Sequence, residues 1–167
     1  MIYADRTDMK RLYIFVLLVL LTGASLSAKT IFIYTVSEGT EETLKTSVPY
    51  MEDGIFKTLF DAGHIAFNDS SIKPVAKRGL ENYKEPEDFL TAKAGGASLL
   101  IEIHLHYRVE DEKEIPEYAE YRLFNVISGN LLTGGISRIV SNGEQETEEE
   151  KLENMGKRMV LNILDFL

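Results

Sequence analysis

No cysteine occurs in the 167 residues. That excludes a disulfide framework, a thiolate zinc centre and a thiol nucleophile. It also leaves no thiol to carry the lipid of a bacterial lipoprotein. Basic residues are few: 18 Lys and Arg stand against 27 Asp and Glu, a net charge of −9. Nucleic-acid binding draws its affinity from cations that neutralise phosphates, and anionic lipid surfaces attract basic segments, so the charge argues against both. It favours a basic partner. No serine stands in a G-x-S-x-G turn. "AGGAS" at 94–98 ends a helix and opens a strand, the reverse of the order in a phosphate-cradling loop. "SGNLLTGG" lacks the Lys and Ser/Thr of such a loop. No acid, base and nucleophile assemble into named roles, so the chain reads as a non-enzyme without a cofactor.

The amino-terminal segment has the three parts of a secretory signal. Lys10 and Arg11 precede the uncharged run "LYIFVLLVLLTGASLSA" at 12–28, whose small residues Gly23, Ala24, Ser25, Ser27 and Ala28 suit cleavage after Ser27 or Ala28. The alternative is a retained anchor, since a run of this length lies at the lower edge of what spans a bilayer. Residues 1–28 are therefore expected to be a signal peptide and 29–167 a single domain outside the cytoplasm, periplasmic or secreted. Losing Arg6, Lys10, Arg11, Asp5 and Asp8 from the 18 basic and 27 acidic residues leaves a charge of −10.

Along the remainder, "TIFIYTV" at 30–36 reads as a strand. Val48, Met51, Ile55, Leu59 and Ala62 recur at helical spacing and predict a helix over 46–62, capped by Thr46 or Ser47 with Pro49 in its first turn. "HIAFND" is a short strand, 69–86 an irregular connector, and 86–96 a short helix that Gly95 and Gly96 end. Three strands follow, at 97–110, 118–127 and 131–143. A charged loop at 110–117 joins the first two and "SGN" the last two, with a bulge expected at Gly134–Gly135. A helix over 144–167 closes the chain, with Leu152, Met155, Met159, Ile163 and Phe166 on one stripe. The dense acids of 144–153 suit the start of a helix and lack the spacing of a calcium loop. The fold class is α+β, in the order βαβαβββα, with helices layered on a mixed sheet and a three-strand antiparallel meander.

"IEIHLHYRV" at 101–109 carries the one arrangement with chemistry in it. Alternation puts Glu102, His104, His106 and Arg108 on one face of a strand and Ile101, Ile103, Leu105 and Tyr107 on the other. The preferred reading is a solvated polar face. The alternative is a metal-binding protein or metal-dependent enzyme with its site on Glu102, His104 and His106, to which Glu120 of the neighbouring strand adds a carboxylate and which Arg108 opposes by its charge. A contact surface would comprise His104, His106 and Arg108 with the acidic loop residues Glu110, Asp111 and Glu112.

Several stretches resemble the envelope-protein domain shared by the TolB amino-terminal domain, the curli-secretion protein CsgG and the penicillin-binding-protein activator LpoB. "TIFIYTV" looks like that group's first strand, and "FKTLFDAGHIAFND" like its helix end, glycine and second strand. "AKAGGASLLIEIHLHYR" and "YRLFNVISGNLLTGG" are similar to its later helix end and strands. The resemblance implies a non-enzymatic domain that docks other periplasmic or outer-membrane proteins, or a structural subunit of an envelope assembly. No functional residue carries over. The chain departs from the group in having no cysteine for a lipid, no propeller and no evident pore-forming insertion.

Overall fold

The computed structural model describes residues 28–69, 73–74, 86–140 and 146–167. The expected signal segment, most of the connector expected at 69–86, and the first residues of the closing helix expected from 144 lie outside them. The elements run β1 (Thr30–Ser37), α1 (Glu41–Asp61), β2 (Ile65–Asn68), β3 (Lys73–Pro74), α2 (Pro86–Ala94), β4 (Leu99–Glu110), β5 (Lys113–Asn125), β6 (Leu131–Arg138) and α3 (Glu148–Ile163), followed by a 3-10 turn at Leu164–Phe166. The expected order is present, with a two-residue strand added. The sheet is mixed and ordered β2-β1-β4-β5-β6. β1 runs parallel to β2, β3 and β4. β4, β5 and β6 form the antiparallel meander.

The strand period of two divides the sheet into two faces. Ile31, Ile33, Ile101, Ile103, Leu105 and Leu123 lie on one, in a core shared with α1 and α3. Phe32, Tyr34, Val36, Leu100 and Phe124 lie on the other, in a smaller core with Ala92 and Phe89 of α2. The central strands are therefore covered on both sides.

α1 begins five residues before its expected start. Thr40, not Thr46 or Ser47, is its N-cap, and Glu41 and Glu42 occupy the first turn, where the helix dipole favours acids. In a capping box the third helical residue would return a side chain to the cap's N–H. Here that residue is Thr43, and Glu114 of β5 takes the role instead. Its carboxylate accepts from the Thr40 N–H at 2.7 Å and the Thr43 hydroxyl at 2.9 Å. Pro49 falls inside the helix on its exposed side. The carbonyl of Lys45, which a proline cannot serve, thus faces water rather than the core.

α1 and α3 cross at two glycines. A Cβ on Gly54 would overlap the Glu153 carbonyl, and one on Gly156 would overlap the Met51 carbonyl. Each helix thus seats its glycine on the other's backbone. α3 carries a capping box: the Glu150 N–H donates to Thr147 Oγ1 at 3.2 Å, and the Thr147 N–H donates to Glu150 Oε2 at 2.9 Å. Leu152, Met155, Met159 and Ile163 are buried as the stripe predicts. Phe166 is half exposed, because the helix tightens to a 3-10 turn before reaching it.

The charged loop expected at 110–117 is instead part of a long hairpin. β4 and β5 are joined by two residues, Asp111 and Glu112, at φ 49° and 63°. Both values are positive, as the tight turns that match strand twist require. Gly134 and Gly135 keep regular register opposite Arg122 and Tyr121, and the irregularity lies earlier, at Leu123/Phe124. Gly135 has no side chain because the Tyr121 ring occupies that space. Among the described residues no helix is long and apolar enough to cross a membrane.

Candidate functional site

The polar residues of "IEIHLHYRV" do share one face, but that face is not solvated where it matters most. Glu102 and His104 are each 1% exposed. They continue the lane that Phe32, Leu100 and Phe124 begin, on the α2 side of the sheet. The expectation of a wet strand fails because β4 is central and covered on both faces from Leu99 to Leu105. Only towards its end, at Arg108 and Glu110, does the strand emerge into solvent.

Register assembles the site. His104 of β4 stands opposite Val36 of β1 and Glu120 of β5, and His106 opposite Tyr118. Beyond the end of β1 the chain places Glu38 over both imidazoles. Its Oε1 lies 3.3 Å from His104 Nε2 and its Oε2 3.3 Å from His106 Nδ1. The two rings lie 4.1 Å apart between centroids. The outer face of His106 stacks on Tyr118 at 4.4 Å and 15°. The other nitrogen of His106, Nε2, lies 3.9 Å from Glu120 Oε1. Among the described residues, the buried nitrogens of His104 make no hydrogen bond of good geometry.

Burial holds His104 below its ordinary value. His106 pushes it the same way, while Glu38 and Glu120 pull it back. A neutral imidazole is the form that ligates metal. The Tyr118 phenol is pushed up, chiefly by burial and then by Glu120, Glu38 and Glu117.

The metal alternative named Glu102, His104 and His106. Donor atoms of Glu38, His104 and His106 all lie within 4.8 Å of one another, and Glu38 stands where Glu102 was expected. Glu102 sits one step further down the strand, opposite Arg122. Arg108, expected to oppose a metal, is exposed and pairs with Glu110 at 3.1 Å. Glu120, expected from the neighbouring strand, does border the site. His64 lies at the opposite end of β1, where its Nδ1 accepts from the Lys29 N–H at 3.2 Å. No spacing signal could have found Glu38. It is 66 positions before His104, and only the parallel pairing of β1 with β4 brings it there.

The expected contact residues separate into two groups. Arg108, Glu110, Asp111 and Glu112 are exposed at the hairpin end, whereas His104 is buried and His106 nearly so. Beneath the hairpin, a groove of about 1300 Å³ runs between it and the starts of α1 and α3. Its charged lining is Glu42, Glu112, Glu114, Glu117, Glu148 and Glu149 against Arg108, Lys113, Arg138 and Lys151, a modest excess of carboxylates.

No protein-family model and no curated protein sequence matches the chain. Solved structures do. A PelC dodecamer from Paraburkholderia phytofirmans, a single-substitution form crystallised in space group C2, is similar over 80% of this chain and 86% of its own, at 7% identity and a TM-score of 0.53. Lipoprotein GNA1162 from Neisseria meningitidis matches over 83% and 99%, at 14% identity and a TM-score of 0.49. The LpoB C-terminal domain from Salmonella enterica matches over 75% and 94%, at 13% identity and a TM-score of 0.34. At 7% identity the likeness to PelC is one of fold alone.

Proposed function

We propose that the chain is an exported, non-enzymatic module of the bacterial envelope that docks other envelope proteins. The observation that carries this reading is the fold shared with PelC over most of the chain. The hydrophobic run at 12–28, with Lys10 and Arg11 before it, supports export. The contact surface on this reading is the exposed hairpin end, Arg108 with Glu110, Asp111 and Glu112, and the groove beneath it. The groove's six carboxylates outnumber its four cations, and this excess favours a partner segment with a surplus of Lys and Arg.

A second reading, a structural subunit that associates with copies of itself, is favoured by β6. Among the described residues this strand pairs only with β5, and it exposes Leu131, Leu132 and Ile136. An open strand with apolar side chains is a template for edge pairing. PelC itself was solved as a dodecamer.

The test is proximity labelling in the native host with a carboxyl-terminal tag, with intact mass recorded on the same sample. A mass beginning at Ala28 or Lys29, with envelope proteins labelled, supports the docking module. A full-length mass with cytosolic neighbours alone overturns it. Sedimentation over a range of concentrations decides the second reading: a size that grows with concentration and is lost in Ile136→Lys supports self-assembly, and a constant monomer refutes it.

A further inference from the structure

We propose that Glu38, His104 and His106 hold a divalent transition-metal ion of the zinc class. The inference rests on these three side chains and is independent of the docking reading.

The first observation is distance. Zinc bonds to imidazole nitrogen and carboxylate oxygen are about 2.0–2.2 Å long, so two ligands of a tetrahedral ion stand roughly 3.3–3.5 Å apart. Glu38 lies at 3.3 Å from each imidazole. A charge-assisted N–H···O⁻ bond would be shorter, about 2.7–2.9 Å. The spacing is that of two ligands sharing an ion more than that of a donor and its acceptor.

The second observation is the buried ring. His104 is 1% exposed, and neither of its nitrogens makes a hydrogen bond among the described residues. Leaving such a group unsatisfied costs free energy, because water is lost and nothing replaces it. A metal ion on Nε2 would answer that cost directly.

The surroundings are those of a ligand set held in place. His106 offers Nδ1 on the Glu38 side, and its Nε2 faces Glu120, the relation of a carboxylate that orients a metal-bound imidazole from behind. Tyr118 stacks on the ring and limits its rotation. The histidines stand on a central strand, so pairing on both sides fixes their spacing. Arg108 is turned away to Glu110.

Chemistry selects the ion. Two imidazoles with one carboxylate suit zinc, cobalt, nickel or copper, whereas calcium takes oxygen ligands throughout. Three protein ligands leave a fourth position for water or for a donor from another molecule.

The test uses the full chain, purified in detergent, freed of metal with a chelator and titrated with Co²⁺ and then Zn²⁺. One Co²⁺ per chain is expected, with the strong visible absorption of a four-coordinate ion, lost on adding Zn²⁺. Glu38→Gln and His106→Gln are each expected to weaken Zn²⁺ binding by at least tenfold. Glu120→Gln should weaken it by about tenfold, as loss of an orienting partner does. Absence of stoichiometric uptake overturns the proposal, as does uptake that survives both ligand substitutions. Should either variant fail to fold by circular dichroism, imidazole ¹⁵N shifts of the unmutated chain decide. Zn²⁺ must move His104 and His106 and leave His64 in place. No shift at the pair, or an equal shift at His64, refutes the site.

Discussion

Adding one methyl group at the helix crossing tests how tightly α1 and α3 are held. In Gly156→Ala the new Cβ would lie 3.1 Å from the Met51 carbonyl carbon and 3.1 Å from Ile55 Cγ1, and nearer still to the Met51 carbonyl oxygen. Carbon atoms prefer roughly 3.5–4.0 Å, and most of the obstruction is backbone, which cannot rotate aside as a side chain can. The helices must part, by about 1 Å at the crossing, and a gap of that size forfeits a quarter to a half of each dispersion contact across it. Overpacking of this kind costs about 1–3 kcal/mol, and an obstruction made of backbone puts this case in the upper part of that range, about 2–3 kcal/mol. Alanine gives back about 1 kcal/mol through its better helix propensity. The net loss should be about 1–2 kcal/mol, a fall of roughly 2–8 °C in melting midpoint at about 2–4 °C per kcal/mol for a chain of this size. Calorimetry and urea titration of the full chain measure it, with an unchanged urea slope showing that the unfolded state is not the cause. Gly54→Ala should behave alike, because its Cβ meets Glu153 backbone. The double variant should lose less than the two singles together, since one separation of the helices relieves both overlaps. An unchanged or raised midpoint in Gly156→Ala would refute the reasoning, and strict additivity in the double variant would sink the shared-crossing part of it.

Three further outcomes follow from particular contacts, each read by chemical denaturation. Glu112→Gly should stabilise the fold by about 1 kcal/mol, because Glu112 holds a left-handed conformation that glycine adopts without a Cβ penalty. Thr147→Ala should cost about 1 kcal/mol, the usual loss for a helix cap, and Thr147→Ser should restore most of it. Glu52 and Glu114 should bend the pH dependence in opposite directions. Burial pushes Glu52 up, against hydrogen bonds from Thr35 and Asn68, so the native state keeps its proton above the ordinary glutamate range. Its presence therefore lowers stability as pH rises through that window, and Glu52→Gln should raise stability at pH 7. The Thr40 N–H holds Glu114 down, and the threonine hydroxyls assist. Its contribution is present at neutral pH and is lost as pH falls through its folded value, so Glu114→Gln should cost stability at pH 7 and little in strong acid.

The strands and helices were legible because their apolar periods differ, two against three and four, and the chain keeps each period through a whole element. Local chemistry was harder to read. Pro49 looks like a first-turn residue, since that is where a helix tolerates proline best. Its exposure lets α1 carry it in the interior, and the true start is marked by Thr40 before two glutamates. Asp111–Glu112 lacks the glycine that announces a two-residue hairpin, so a charged turn with strained backbone reads as a loop. The surroundings of the two histidines were illegible for a deeper reason. Alternation says which residues share a face, and it grouped Glu102, His104 and His106 correctly. It cannot say whether that face is covered, because the cover comes from segments distant in sequence. Nor can it supply Glu38, whose place depends on β1 aligning in parallel with β4.

Among the described residues the sheet's two cores are unequal, and this divides their resistance to local opening. α1 and α3 together spread over one face, locked by their reciprocal glycines. α2 is a single nine-residue helix, too short to persist alone in water, and it holds to the other face through Ala92 and the edge-to-face contact of Phe89 with Phe124. Thermal breathing therefore begins on the α2 side, and the amides of α2 exchange with solvent at a lower free energy than those of α1. Each such event wets Leu100 and Phe124 while the larger core stays dry. The polar lane continues from there through Glu102 to His104, so its interior end is reached by solvent without the domain unfolding.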